Sequence, residues 1–83
     1  MFREYLKNTD YPYDGVQHVY AFPNGYGASV IKHDYSYGGK KGLWELAVLK
    51  DDDMCYTSGI TEDVLGHLSW ENVEKYLKQI MEL

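Results

Sequence analysis

The sequence predicts an α+β domain: a four-stranded antiparallel, meander-like sheet packed by a C-terminal amphipathic α-helix, with a short helical turn at the N-terminus. Three observations carry this. Asn24-Gly25 stands between two runs of β-favouring residues, VQHVYAF and YGASVIKH, the strongest short-range hairpin signal. GLWELAVLK alternates with apolar residues on both of its faces, the pattern of a central strand. SWENVEKYLKQIMEL places Trp70, Val73, Leu77 and Ile80 on one helical face and charged or amide residues around the rest. At 83 residues the chain holds one compact domain, residues 1–83, without internal repeat, linker or low-complexity tract.

Taken in order, the opening MFREYL has Phe2, Tyr5 and Leu6 at helical spacing, and Asn8, Asp10, Pro12 and Gly15 then break it, so a helical turn and a loop are expected. A two-residue type I′ turn at Asn24-Gly25 needs positive φ at both positions and fixes a register: Tyr20 opposite Ser29, His18 opposite Ile31, Val16 opposite His33. The run from Asp34 to Gly42 joins this hairpin to the third strand. Asp51–Asp53 is an acidic turn, and MCYTSGI reads as the fourth strand. In ITEDVLGHL, Thr61 is expected to cap a single helical turn through Val64, which Gly66 would end. Ser69 is the N-cap of the terminal helix, with Glu71 in its first turn favouring the dipole.

Charge and composition bound the function. With 13 acidic against 8 basic residues, the long-range field repels a phosphate backbone, which disfavours direct nucleic-acid binding. No apolar run approaches the roughly 20 residues of a membrane span. The single cysteine, Cys55, forms no intramolecular disulfide and the N-terminus lacks a secretory pattern, so a cytoplasmic location is expected. Nine tyrosines, two tryptophans and two phenylalanines exceed what one small core hides, so part of this aromatic surface is expected at an interface.

Several constellations are candidates for chemistry. The glycines of FPNGYGASV serve a hairpin, since a β-patterned run follows them where a phosphate-binding loop would open a helix. His18 and His33 fall in diagonal positions on one face in the derived register, which makes them weak metal candidates; two ligands without a third at defined spacing favour plain sheet-edge histidines, and no metal or other cofactor is expected. The loop carrying Tyr35, Tyr37, Gly38, Gly39, Lys40 and Lys41 pairs stacking rings with a glycine-flexed backbone and two cations. It fits a nucleotide-type ligand or a partner surface, with Tyr26 as a further ring, and its plain alternative is a solvated hairpin loop. Cys55 reads as a small buried apolar residue and His67 as a loop hydrogen-bonding group. No base and orienter accompany Cys55, Ser29 or Ser36, and Asp51–Asp53 is too local to set two carboxyl groups apart, so no enzyme is expected.

The segments NGYGASV, GLWELAVL and GHLS, followed by an amphipathic helix, resemble a family of small uncharacterised proteins encoded by bacteriophages and prophages. The likeness runs from about His18 to the C-terminus and leaves out the first fifteen residues. It implies a phage-type origin and a host-cytoplasmic setting, and brings no functional residues with it. Two readings follow, with a structural or assembly component as a third. The first is a binding protein that engages and modulates a host protein, as counter-defence or host-takeover proteins do. The second is a small-ligand binder that sequesters a nucleotide-type molecule, for which a homodimer would supply the interface pocket that a short chain lacks.

Overall fold

The computed structural model describes residues 2–51, 53–55, 57–61 and 64–83. Asp52 of the acidic turn, Tyr56 of the expected fourth strand and Glu62-Asp63 of the expected helical turn lie outside the described residues.

The chain is an α+β fold in which an antiparallel sheet carries one C-terminal helix. A 3₁₀ turn at Arg3–Tyr5, the expected N-terminal turn, leads into β1 (Leu6–Asp10), followed by β2 (Val16–Ala21), β3 (Tyr26–Lys32), β4 (Trp44–Lys50), β5 (Asp53–Met54), β6 (Val64–Leu68) and α1 (Trp70–Met81). Among the described residues the sheet has six strands, in the order β1-β2-β3-β4-β5 with β6 also paired to β4. Strand β4 is central, as its two apolar faces require. One of its edges takes β3 along its length. The other is shared by β6 at Trp44–Ala47 and by the two-residue β5 at Leu49–Lys50.

The strand count exceeds the expected four because two further strands form, while the expected fourth, MCYTSGI, is reduced among the described residues to the two-residue β5. LKNTD forms an edge strand, pairing along one side only and bulged between Leu6 and Asn8, so it needs little of the apolar alternation that marks an interior strand. VLGHL extends beside β4 in place of ending a helical turn. Gly66 lies in that strand because the side chain of Tyr37 crosses it at the position a Cβ would take.

The hairpin at Asn24-Gly25 forms, with a register one residue away from the expected one. Tyr20 faces Ala28, His18 faces Val30 and Val16 faces Lys32. Pro23 is the reason. The Gly25 N–H donates to the Phe22 carbonyl (3.1 Å) and the Phe22 N–H to the Tyr26 carbonyl (2.8 Å), while Gly25 alone in the loop takes a positive φ, 87°. This is the three-residue loop of a type I turn closed by a left-handed glycine, a turn in which proline favours the second position. Asn24 serves the tertiary structure instead: its Nδ2 donates to the carbonyls of Ile80 (2.9 Å) and Met81 (3.1 Å), and its Oδ1 accepts from the Tyr26 N–H (3.0 Å). The hairpin turn therefore closes the C-terminal end of α1.

Helix α1 begins at Ser69, whose Oγ accepts from the Asn72 N–H (3.2 Å), and runs across β3, β4 and β6. It buries Val73, Leu77 and Ile80 against one sheet face, where Tyr20, Ala28, Val30, Leu46, Val48 and Leu68 meet them. Phe2 and Phe22 close the core at the hairpin-turn end. Cys55 is buried at the core's margin with a free thiol, and its N–H donates to the Val48 carbonyl (2.8 Å).

Candidate functional site

In an antiparallel meander the β1–β2 and β3–β4 connections emerge at the same end of the sheet. Here both carry a Tyr-x-Tyr sequence: Tyr11-Pro12-Tyr13 and Tyr35-Ser36-Tyr37. All four rings are exposed, at 75, 69, 77 and 61 % respectively. Tyr13 reaches across to the second loop, with its ring 5.1 Å from Tyr35 in an edge-on contact and 5.0 Å from His33. His33 is itself oriented, since its Nδ1 accepts the Tyr35 N–H at 3.0 Å.

Tyr13 and Asp14 sit consecutively in the left-handed region, at φ 51° and 60°. Side chains with a Cβ adopt this conformation at a cost, and such strain clusters where a binding surface has to hold a particular shape. Gly15 then restarts the chain into β2 with its N–H on the Pro12 carbonyl (2.8 Å). Between Tyr13, Asp14, Lys32, His33 and Asp34 lies a shallow cleft of about 240 Å³.

The second loop is folded back on itself. A Cβ at Gly39 would collide with the His33 carbonyl, so glycine is required for the loop to close against the end of β3. The amides are largely committed: Ser36 N–H donates to the His33 carbonyl, Gly39 to Ser36, Lys41 and Leu43 to Gly38, Gly42 to Gly39, and Tyr37 to the Glu45 carboxylate. An anion-binding nest needs such N–H groups turned outward, and these point to internal acceptors. The loop is also tied to β6, where the His67 N–H donates to the Tyr37 carbonyl at 3.1 Å and His67 takes a φ of 55°.

Of the residues singled out from sequence, Tyr37, Gly38, Lys40 and Lys41 line one cleft of about 250 Å³ together with Ser36 and His67. Tyr35 and Gly39 flank it on the side of Tyr13 and His33. Tyr26 does not join them. It lies at the hairpin-turn end, packed against the core with the Lys50 ammonium 5.1 Å from its ring centre.

His18 and His33 are separated, because the one-residue change of register moves them to opposite faces. His18 faces the helix, with Nδ1 on the Thr9 hydroxyl (3.1 Å) and its ring against Trp44 (5.7 Å) and Trp70 (6.0 Å). His33 lies with Tyr13 and Tyr35. Burial lowers the pKa of His18. Among the described residues no group of three metal-ligating side chains occurs.

Tyr11 and Tyr13 belong to this surface and were not anticipated as part of it. The repeated Tyr-x-Tyr was the available signal; what it lacked was β1, whose pairing with β2 brings the first loop to the same end as the second. Compared with known proteins, the chain matches no family model, no curated protein and no solved structure.

Proposed function

We propose that the protein is a non-enzymatic binding protein whose tyrosine-lined end engages a partner protein. The observation that carries this reading is the set Tyr11, Tyr13, Tyr35 and Tyr37, all exposed on the two loops at one end of the sheet, with Tyr13 on a strained turn and in ring contact with Tyr35. Tyrosine is enriched at protein interfaces because it offers a large contact area with few rotatable bonds and a hydroxyl that stays wet. A net charge of −5 steers such a surface towards a basic partner and makes the association rate fall with salt. The resemblance to phage proteins makes a host protein in the cytoplasm the partner of choice, with modulation of that protein as the outcome.

A second reading is favoured by one observation: the cleft at Tyr37, Gly38, Lys40 and Lys41 coincides with the loop that suggested a nucleotide-type ligand. At about 250 Å³ it falls below the roughly 300–1,000 Å³ of small-molecule pockets, and its amides are committed internally, so the partner-protein reading stands ahead of it.

Native mass spectrometry of the tagged chain, purified from bacterial lysate in parallel with a Tyr13→Ser/Tyr35→Ser variant, tests both. A protein partner retained by the wild type and lost by the variant supports the first reading. Small cargo lost on reversing the charge of Lys40 and Lys41 supports the second. A wild-type chain that emerges bare, or a partner that both proteins retain equally, overturns the tyrosine-surface reading.

A further inference from the structure

A separate cleft of about 280 Å³ opens on the helix side of the sheet, where the N-terminal turn, β1, β2 and the first turns of α1 meet. Its base is apolar, built from the buried Phe2 and Tyr20 with the half-buried Leu6. Its wall is formed by His18 and Trp70, and that wall is set before any ligand arrives. The Thr9 hydroxyl holds His18 Nδ1 at 3.1 Å, the His18 ring stands edge-on to Trp70 at 6.0 Å, and Trp70 packs on Trp44 at 5.0 Å. Lys32 Nζ already occupies a face of Trp44, 4.6 Å from its ring centre, which leaves Trp70 as the indole a ligand can meet.

Two charged side chains border this aromatic space from different elements: Arg3 from the N-terminal turn and Glu74 from α1. Among the described residues neither has an ion-pair partner. Burial, and then the carboxylate of Glu74, raise the pKa of Tyr20.

We infer that this cleft binds an amino-acid-sized zwitterion with an apolar side chain, its carboxylate on Arg3, its ammonium on Glu74 and its side chain against Tyr20, His18 and Trp70. Charge complementarity selects this class. A simple cation gains Glu74 and is repelled by Arg3, a simple anion meets the reverse, and a neutral apolar molecule gains from neither charge. A molecule that carries both charges satisfies both groups. The volume lies just under the usual small-molecule range and suits an amino acid better than a nucleotide. The inference does not depend on the tyrosine-lined end, which is built from other residues.

The chain has two tryptophans, both in this ring cluster, so indole signals report on the site directly. The full-length protein is titrated with free L-phenylalanine, L-leucine and L-methionine, and with the N-acetyl amide of each, which keeps the side chain and removes both charges. Tryptophan emission and the indole N–H signals in ¹H–¹⁵N spectra are followed together. A saturable change is expected with at least one free amino acid, and its amide should bind about tenfold or more weakly. Glu74→Gln and Arg3→Gln, both outside the buried core, should each weaken the free amino acid about tenfold and leave the amide unchanged. No saturable change in either signal, or equal binding of amide and zwitterion, would each overturn the inference.

Discussion

At the hairpin-turn end of the sheet, Phe22 packs edge-on against Phe2 (6.3 Å) and Tyr5 (5.3 Å) and stacks with Tyr20 (6.5 Å), and Phe2, Tyr20 and Phe22 are buried. At the opposite end Tyr11, Tyr13, Tyr35 and Tyr37 remain exposed even though Tyr13 and Tyr35 touch. Ring density is similar and its use is opposite. The difference follows from α1, whose C-terminal end is closed by Asn24 at the hairpin turn, while the N-terminal turn folds Phe2 into the same corner. The loop end is roofed by neither, so its four rings stay exposed even where Tyr13 touches Tyr35 and His33 and Tyr37 crosses Gly66. One end buries its rings in the core, and the other leaves them exposed as the surface proposed for recognition.

The largest effect that separates the two ends is expected at Phe22. Phe22→Ala removes a buried ring from an aromatic cluster and should cost about 3–5 kcal/mol, read as a drop in the urea midpoint at unchanged slope. A cost below about 1 kcal/mol would mean that the turn end is no better packed than the loop end. Asn24→Ala comes next. It leaves helix carbonyls and the Tyr26 N–H without their side-chain partner, and a loss of about 1–2 kcal/mol is expected. The same substitution with Gly25 retained should leave the hairpin register intact, which the cross-strand nuclear Overhauser contacts of Tyr20 with Ala28 would report.

Tyr35→Ser makes the contrast from the other side. Stability should move by no more than about 0.5 kcal/mol, because the ring is exposed, whereas affinity for a partner protein should fall by about 2 kcal/mol or more if the ring anchors the interface. A variant that unfolds the chain and spares binding would reverse the assignment of the two ends.

The asymmetry was legible in part from the sequence. Periodicity located β2, β3, β4 and α1, because each buries a face and the pattern of burial is written in its residues. It did not locate β1 or β6. LKNTD is an edge strand with mostly polar side chains, and VLGHL carries a glycine that marks the crossing of Tyr37, a long-range contact that resembles a helix stop when read locally. The register was missed by one residue because Asn-Gly outweighed the Pro23 before it. That error also brought His18 and His33 together on paper, since one residue of slip exchanges the two faces of a strand. The candidate surface was half legible: the loop at Tyr35–Lys41 stood out by its rings and glycines, and Tyr11 and Tyr13 did not, because only the pairing of β1 places them beside it.

The smallest expected effect concerns His18, which lies between the two regimes on the helix side of the sheet. Its burial disfavours the imidazolium and sets its folded pKa below the ordinary value of 6.5. As pH falls through that value, the unfolded chain takes up the proton first, so the unfolded state gains and the fold loses stability. Above it the group contributes nothing to the pH dependence. Well below the folded pKa both states are protonated and the loss stops growing. Thermal unfolding followed from pH 7.5 to 5 should therefore show a steeper decline in the wild type than in His18→Gln, an amide that can still bond Thr9. His33, His67 and the carboxylates are common to both proteins, so the difference between the two curves isolates His18. Parallel curves would mean that water reaches the Trp44–Trp70 cluster as freely as it reaches the tyrosines, and that the dry side of the comparison is confined to the corner around Phe22.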